Sequence, residues 1–244
     1  MKKIGICLPS FNESKNILNL INEILTIKEN IIICVVDDNS PDNTYKLLLN
    51  KYQNNEKVIL LKRDFKNGRG SAVWEGFKLL NSEEKDIEIF VEMDCDFSHS
   101  VHDLKKGIKL FKSDNCDVLL GSRYPEGQIE NWPFIRRIFS FLSNQLIRAL
   151  LDKNIHDYTN GFRFYNKKAL NLLLKNKPKN KGFIFLSESL GIFLVNKLII
   201  KSFPIFFKNR IRGESNTNII EILNSLKGIM KIKKDYNKWK NLKE

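Results

Sequence analysis

The chain has 244 residues, 42% of them hydrophobic and 28% charged, which is the composition of a folded protein with a sizeable core. Its four cysteines lack CxxC spacing, which argues against a structural zinc site and against a disulfide framework. The formal net charge of +13 favours an anionic partner, whether nucleic acid, a phosphorylated ligand or an acidic membrane face.

The first half alternates between short apolar runs and amphipathic stretches of helical length. The apolar runs are rich in β-branched residues and predict buried strands: "KKIGICLP", "IIICVVDD", "KVILLKR", "IEIFVEMD" and "CDVLLGS". Helices are predicted between them, at residues 13–27, 41–52, 71–80 and 101–111. This alternation predicts an α/β fold with a mostly parallel central sheet and helices on both faces.

Clusters that contain polar or charged residues follow four of the predicted strands. They are the segment "PSFNE" with Pro9, Phe11 and Glu13 after the first strand, Asp38 at the end of the second, Asp94 and Asp96 after the fourth, and Arg123 after the fifth. In open α/β sheets, ligands bind beyond the carboxyl ends of the strands. We therefore expect these residues to collect at one edge of the sheet and to form a binding site.

The segment "DCDFSHSVH" contains the most specific of these clusters. Asp94 and Asp96 can turn toward one hard cation, and Mg²⁺ and Mn²⁺ prefer such oxygen ligands, often shared with substrate phosphates. His99 and His102 are predicted at a helix start, where they would make capping or supporting contacts. The segment "NGRGSAV" lacks the third glycine of the dinucleotide fingerprint, and no Walker A, HExxH or nucleic-acid-binding motif occurs. We expect no nucleic-acid partner.

The second half is less regular. Residues 133–151 are apolar over a wide arc, with arginines on the remainder. They predict a helix that lies either on a membrane surface, with its arginines toward lipid phosphates, or in the core with a solvated basic edge. An apolar segment at 182–195, a strand in "LIIKSFPIFF" and a basic amphipathic helix are predicted to follow. No run approaches the roughly 18 uncharged apolar residues of a membrane span.

Seven segments occur in an order that is similar to a known family. They are "LPSFNE", "VVDDNSPDNT", "NGRGSA", "MDCDFSH", "GSRY", "NGFRFY" and "NRIRGES". The chain resembles the family 2 glycosyltransferases, and within them the dolichol-phosphate mannose synthases and related polyprenyl-phosphate sugar transferases. The resemblance implies the Rossmann-like GT-A fold of nucleotide-diphospho-sugar transferases. It also implies one domain over residues 1–244, with a nucleotide-sugar-binding half (1–125) and an acceptor- and membrane-facing half (126–244).

The resemblance implies a role for each matched position. Pro9, Phe11 and Glu13 would contact the nucleotide, and Val36 and Asp38 would contact its base and ribose. Asp94 and Asp96, beside the backbone of Cys95, would bind the metal at the diphosphate. Arg123 and Arg210 would bind phosphates. Asp96, Arg123 and Arg210 would act in catalysis. The chain has Asn160, Asn209 and Asn216 where the family commonly has Ser, Asp and Lys. The missing lysine removes one phosphate-binding cation, which bears on donor identity and loop closure.

The implied reaction transfers mannose from GDP-mannose to a polyprenyl (dolichyl-type) phosphate. A bound Mg²⁺ or Mn²⁺ would neutralise the diphosphate leaving group, and a one-step displacement would invert the sugar. Arg163 and Arg212 are further candidates for positioning the acceptor phosphate. The alternatives are UDP-glucose or another nucleotide sugar as donor, a saccharide acceptor, or a non-catalytic protein that binds nucleotide sugars or anionic membranes.

A lipid acceptor places the protein at a membrane. We expect a cytoplasmic protein that associates peripherally with the cytosolic face of a membrane. The helix at 133–151 and the basic C-terminal region are the candidate contacts, and a small membrane-anchoring subunit is the alternative.

Overall fold

The computed structural model describes residues 2–177, 179–180, 184–209, 228, 231–238 and 240. The loop that carries Arg210, Arg212 and Asn216 lies outside the described residues. Of the basic C-terminal region, residues 231–238 are helical, as the sequence predicts.

Between residues 3 and 208, nine strands and seven helices are described. The strands are β1 (Lys3–Ser10), β2 (Ile31–Asp37), β3 (Val58–Lys62), β4 (Ile87–Glu92), β5 (Val118–Ser122), β6 (Gln128–Glu130), β7 (Arg163–Asn166), β8 (Ile200–Pro204) and β9 (Phe206–Lys208). The helices are α1 (Ile17–Leu25), α2 (Thr44–Tyr52), α3 (Arg69–Glu83), α4 (Val101–Ser113), α5 (Phe134–Leu150), α6 (Lys167–Lys175) and α7 (Ile184–Val195). All five strands predicted in the first half are present.

The described strands form a seven-stranded sheet in the order β3-β2-β1-β4-β7-β5-β8, and β6 pairs with β9 in a separate two-stranded sheet. Strands β1, β2, β3 and β4 are mutually parallel where they pair, as are β5 and β8. The side chains of β1 alternate between two cores: Ile6 packs with α1 and α4, and Cys7 packs with α3 and α7. Helices therefore cover both faces, and the predicted mostly parallel α/β architecture is confirmed.

Strand β7 was not predicted. It lies between β4 and β5 and runs antiparallel to both, with Phe164 opposite Val91 on one side and Leu119 on the other. Its four residues include the fully buried Arg163, so the segment lacks the continuous apolar character of the other central strands. The insertion of β7 brings the preceding loop, with Asn160 and Gly161, beside the end of β4.

Helix α5 corresponds to the helix predicted at 133–151, for which a membrane surface and the core were the two alternatives. The structure does not support the core alternative. Only Asn144 and Ile147 of this helix are buried, whereas Phe134 is 78% exposed and Ile135 is 60% exposed. Its apolar arc therefore faces outward. None of the helices in the described residues is long and apolar enough to cross a bilayer.

The position of β7 can be tested at Gly107 of α4. A Cβ at this position would lie 2.2 Å from Cζ of the fully buried Phe164. Alanine gains about 1 kcal/mol over glycine in helix propensity, but overpacking a core costs about 1–3 kcal/mol. We expect Gly107→Ala to lower the free energy of unfolding by about 1 kcal/mol, the difference between these opposing effects, as measured by urea denaturation.

The matched control is Lys109→Ala, an exposed position of the same helix, which we expect to change stability by less than about 0.5 kcal/mol. A Gly107→Ala variant that is as stable as the native protein would contradict this placement of β7.

Candidate active site

A cavity of about 240 Å³ opens beyond the carboxyl ends of β1, β2 and β4. The structure brings together eight of the residues that the sequence pointed to, and all eight line this cavity: Pro9, Phe11, Glu13, Asp38, Asp94, Cys95, Asp96 and Arg123. Among the described residues, three buried polar atoms in the wall of the cavity have no hydrogen-bond partner: Oγ of Ser10, Oγ of Ser98 and Nε1 of Trp132. Because buried polar groups are normally satisfied, these atoms are candidate contacts for a polar ligand.

The turn that carries the two aspartates is held by His99. The backbone N–H of Asp94 donates to Nδ1 of His99 (3.1 Å), so Nε2 carries the proton that is shared with Oδ1 of Asn160 (2.9 Å). The backbone N–H of Ser98 donates to Oδ1 of Asp96 (3.0 Å). His99 is fully buried, and it therefore supports the turn as expected. His102 is an exposed residue of α4.

The donor set at this turn suits a hard divalent cation. In the described residues, no group of three or more His, Cys, Asp or Glu side chains could hold a metal ion. Asp94 and Asp96 therefore offer two carboxylates, and Ser98, whose hydroxyl has no hydrogen-bond partner among the described residues, lines the same cavity. Such an oxygen-only, incomplete set fits Mg²⁺ or Mn²⁺ with further ligands from a substrate diphosphate.

Arg69 is a site residue that the sequence did not single out. Its Nε donates to Oδ1 of Asp94 (2.7 Å), Nη1 to Oε2 of Glu92 (2.7 Å) and Nη2 to the carbonyl of Gly161 (2.8 Å). Burial lowers the pKa of Arg69, but Asp94 and Glu92 outweigh this effect and raise the pKa above its ordinary value. The sequence signal that could have found Arg69 is Glu92, a glutamate inside the otherwise apolar run "IFVEM". A buried glutamate normally requires a cationic partner.

Arg123 is held by Asp157, another residue missed in the sequence. The Arg123 backbone N–H and Nε donate to Oδ2 of Asp157 (3.0 and 2.8 Å), and Nη2 donates to Oδ1 (2.8 Å). Burial would raise the pKa of Asp157, but Arg123 holds that pKa below its ordinary value. The guanidinium also lies 5.2 Å from the ring centre of Trp132, so its position in the cavity wall is fixed on several sides.

Asp38 is half of another ion pair at the cavity. Nη1 of Arg63 donates to Oδ1 of Asp38 (2.7 Å), and the backbone N–H of Asn67 donates to Oδ2 (3.3 Å). Burial raises the pKa of Asp38, and Arg63 opposes that shift. Lys66 lies 4.0 Å from the ring centre of Phe11 and adds a cation to the same wall.

Two predicted contacts differ in the structure. The side chain of Val36 is fully buried between β2 and α3, where a Cβ at Gly76 would lie 2.8 Å from its Cγ2, and it does not line the cavity. Arg163 is fully buried and donates to the carbonyls of Tyr158, Asn160 and Leu186. The suggestion that Arg163 positions a phosphate was therefore wrong, because its N–H groups satisfy backbone carbonyls.

Cys95 has a structural contact and an unreactive thiol. Its Sγ donates to the carbonyl of Pro9 (2.9 Å), which ties the aspartate turn to the end of β1. Burial raises the pKa of this thiol, so it stays protonated at neutral pH. All four cysteines are buried and free.

The family model for glycosyl transferase family 2 matches residues 5–174. The chain belongs to glycosyltransferase family 2. Over 212 residues it is 30% identical to a polyprenol monophosphomannose synthase of Mycolicibacterium smegmatis, covering 86% of this chain and 79% of that one. Over 240 residues it is 32% identical to a dolichol-phosphate mannosyltransferase of Pyrococcus furiosus, covering 95% of this chain but only 64% of the relative, less than two thirds.

Solved structures confirm the GT-A-like fold. The glucosyl-3-phosphoglycerate synthase of Mycobacterium tuberculosis, in complex with Mn²⁺, UDP and glucosyl-3-phosphoglycerate, matches with a TM-score of 0.67 at 15% identity, over 96% of this chain and 80% of that one. A structure of the same synthase with Mg²⁺ and UDP also has a TM-score of 0.67, at 13% identity, over 95% of this chain and 79% of that one. Family membership and the names of the two relatives, and not these structures, show that the protein is a glycosyltransferase, which argues against the non-catalytic binding protein.

The Arg123–Asp157 pair makes a stability prediction with a defined pH dependence. Removing one partner of a buried ion pair costs about 3–5 kcal/mol, so we expect Asp157→Ala to lose about that much stability at pH 7. Because the pKa of Asp157 is lowered, its contribution is complete above the unfolded-state value of about 3.9 and is lost as the pH falls through the folded-state value. Urea denaturation at a series of pH values should show the gap closing below about pH 4.

The control is Asp114→Ala, which removes a 39% exposed carboxylate that lies 3.3 Å from Lys201. An exposed pair of this kind is worth about 0–1 kcal/mol. Equal losses for the two variants at pH 7 would show that Asp157 has no special role.

Proposed function

We propose that this glycosyltransferase moves a sugar from a nucleotide diphosphate sugar to a polyprenyl phosphate, with mannose from GDP-mannose as the first choice. One observation carries the proposal: Arg123 lies in the wall shared by the polar cavity and an adjoining groove with apolar walls. A polar cavity suits the nucleotide sugar, and an apolar groove that begins at an arginine suits a lipid with a phosphate head. The named activities of the two mannosyltransferase relatives agree with this division.

The donor would occupy the cavity at the sheet edge. Pro9, Phe11 and Glu13 follow β1 and Asp38 follows β2, so they offer backbone, aromatic and carboxylate contacts to a nucleoside. The backbone at Val36 belongs to β2, and any contact from this residue would come through the main chain. Lys66 supplies a cation beside Phe11, where negative phosphates would be drawn in.

The acceptor would occupy the adjoining groove, whose volume is about 380 Å³. Its apolar wall comes from α5 through Ile138, Phe141 and Leu142, and Arg137 and Arg123 provide the charge. Nη2 of Arg137 donates to the carbonyl of Ile129 (2.7 Å), which anchors this arginine between α5 and β6. An isoprenoid chain along α5 would therefore point its phosphate toward Arg123 and the donor cavity.

The chemistry needs charge balance more than a strong base. Asp94, Asp96 and Ser98 are the residues that would hold a divalent cation. When bound, that cation would neutralise the negative charge developing on the departing diphosphate. The acceptor phosphate, with a second pKa of about 6, is already largely ionised at neutral pH.

The displacement follows from these positions. An oxygen of the acceptor phosphate forms the new bond to the anomeric carbon as the bond to the nucleotide diphosphate breaks, so the configuration inverts. Arg123 can orient that phosphate because Asp157 holds the guanidinium by Nε and Nη2, and no hydrogen bond within the described residues occupies Nη1. Arg210, outside the described residues, remains a proposed phosphate ligand and catalytic residue.

The lipid acceptor requires contact with a membrane. The exposed apolar arc of α5, next to the basic residues Arg136 and Arg137, has the composition of a helix that lies in the lipid interface. We therefore place the protein peripherally on the cytosolic face of a membrane. A small anchoring subunit is the alternative means of attachment.

The metal assignment can be tested at Asp96. We expect Asp96→Ala to abolish sugar transfer from GDP-mannose to a polyprenyl phosphate in the presence of Mg²⁺ or Mn²⁺. Asp96→Asn should be inactive as well, although its amide oxygen can still accept the Ser98 N–H and keep the turn. Transfer is measured as radiolabelled sugar in the lipid extract. Undiminished transfer by Asp96→Ala would contradict the assignment of Asp96 as a metal ligand.

The membrane contact can be tested at the most exposed apolar residues of α5. We expect Phe134→Ser/Ile135→Ser to weaken binding to anionic vesicles by at least about tenfold, because each buried apolar side chain contributes roughly 1.5–3 kcal/mol. Co-sedimentation with vesicles measures this loss. Leu47→Ser/Leu49→Ser changes two exposed leucines of α2 and should bind vesicles like the native protein. If both pairs of substitutions leave vesicle binding intact, α5 is not the membrane contact.

A further inference from the structure

Arg69 joins the candidate metal site to a fully buried carboxylate. Glu92 ends β4 and has no exposed surface. The hydroxyl of Tyr165 on β7 donates to its Oε1, and Nη1 of Arg69 donates to its Oε2. Both carboxylate oxygens of Glu92 are thus committed to protein groups, and Glu92 does not line the cavity. Its charge is oriented toward Arg69 and away from any ligand.

The guanidinium of Arg69 is fixed on three sides. Glu92, the carbonyl of Gly161 and Asp94 each accept one of its hydrogen bonds. A Cβ at Gly161 would lie 2.2 Å from Nη2, so the absence of a side chain there leaves the space that the guanidinium occupies. The Arg69 side chain is only 12% exposed, whereas that of Asp94 is 29% exposed. Arg69 therefore holds Asp94 from the protein side, and Asp94 also lines the cavity.

We infer that Arg69 is a positioning residue that competes with the divalent cation for Asp94 and makes metal binding depend on the nucleotide diphosphate. This inference rests on the proposed function, which supplies the metal and the diphosphate. Neither the resemblance to the family nor the sequence assigned a role to Arg69 or Glu92.

The physical reason is charge. A guanidinium that hydrogen-bonds to Oδ1 of Asp94 offsets part of the negative charge that would attract a cation, and its own charge repels that cation. The two carboxylates and the hydroxyl of Ser98 are also too few ligands for the six-coordinate shell that Mg²⁺ demands. A diphosphate brings both the missing oxygens and the missing negative charge. Metal and nucleotide should therefore bind much more tightly together than either does alone.

The test measures Mn²⁺ binding and not turnover. Arg69→Met alone would leave the buried charge of Glu92 unpaired, so the informative variant is Arg69→Met/Glu92→Gln, in which the glutamine can still accept from Tyr165. Free Mn²⁺ is followed by electron paramagnetic resonance as Mn²⁺ is titrated into the full chain, without nucleotide, with GDP and with UDP. Circular dichroism and thermal unfolding establish that each variant is folded.

We expect the double variant to bind Mn²⁺ without nucleotide about tenfold more tightly than the native protein. The strengthening of Mn²⁺ binding by GDP or UDP should shrink by the same factor. Glu92→Gln alone is the matched control, because it keeps the hydrogen bond from Arg69 to Asp94. In the absence of nucleotide, this variant should bind Mn²⁺ no more tightly than the native chain. If Arg69→Met/Glu92→Gln folds poorly, Arg69→Leu/Glu92→Leu replaces the ion pair by apolar groups. The same tightening of Mn²⁺ binding in the absence of nucleotide is expected.

Two failures are distinguishable. If the native protein binds Mn²⁺ with a nucleotide but the folded double variant shows no tighter nucleotide-free binding, the role of Arg69 is overturned and the proposed function stands. If the native protein binds no Mn²⁺ with either nucleotide, the metal site of the proposed function fails, and the inference about Arg69 fails with it.

Discussion

The parallel pairing of β2, β1 and β4 is the constraint on which the whole site depends. Because these strands are neighbours and point the same way, their carboxyl ends meet at one edge of the sheet. Pro9, Asp38 and Asp94 are at least 29 residues apart in sequence, yet they line one cavity. Reversing any of the three strands would send its terminal polar residue to the opposite edge.

A second constraint closes the site from the other half of the chain. Strand β7 runs antiparallel between β4 and β5. The loop that precedes β7, and not the segment that follows it, therefore reaches the sheet edge where the cavity lies. His99 bonds to Asn160, and Arg69 bonds to Gly161, across this junction. The cavity is therefore built from both halves, and the adjoining groove continues from it through Arg123.

The sequence was sufficient for the features that depend on local pattern. Buried strands and intervening helices follow from apolar periodicity, and residues at strand ends follow from the direction of parallel strands. Long-range pairing could not be read in the same way. Arg69 meets Gly161 at a separation of 92 residues, and Arg123 meets Asp157 at 34, and neither partner is marked by any spacing rule.

Burial on both faces of a strand limits sequence reasoning further. In β2 every residue is buried, so no alternation tells which side chains face α3 and which approach the ligand. The side chain of Val36, which the family resemblance implied as a nucleotide contact, packs against Gly76 of α3, so only its main chain can serve that role. Arg163 shows the opposite difficulty. An arginine in a phosphate-handling protein is expected at the ligand, but here its N–H groups satisfy backbone carbonyls in the interior.

The identity of the donor and of the acceptor is the central feature of the proposed reaction. The decisive measurement incubates the full chain and Mn²⁺ with labelled GDP-mannose, UDP-glucose and other nucleotide sugars, each with polyprenyl phosphate in vesicles or with a soluble saccharide. We predict label in the lipid fraction, strongest with GDP-mannose, and none in the saccharide. Transfer to the saccharide with none to the lipid would contradict the proposed lipid acceptor.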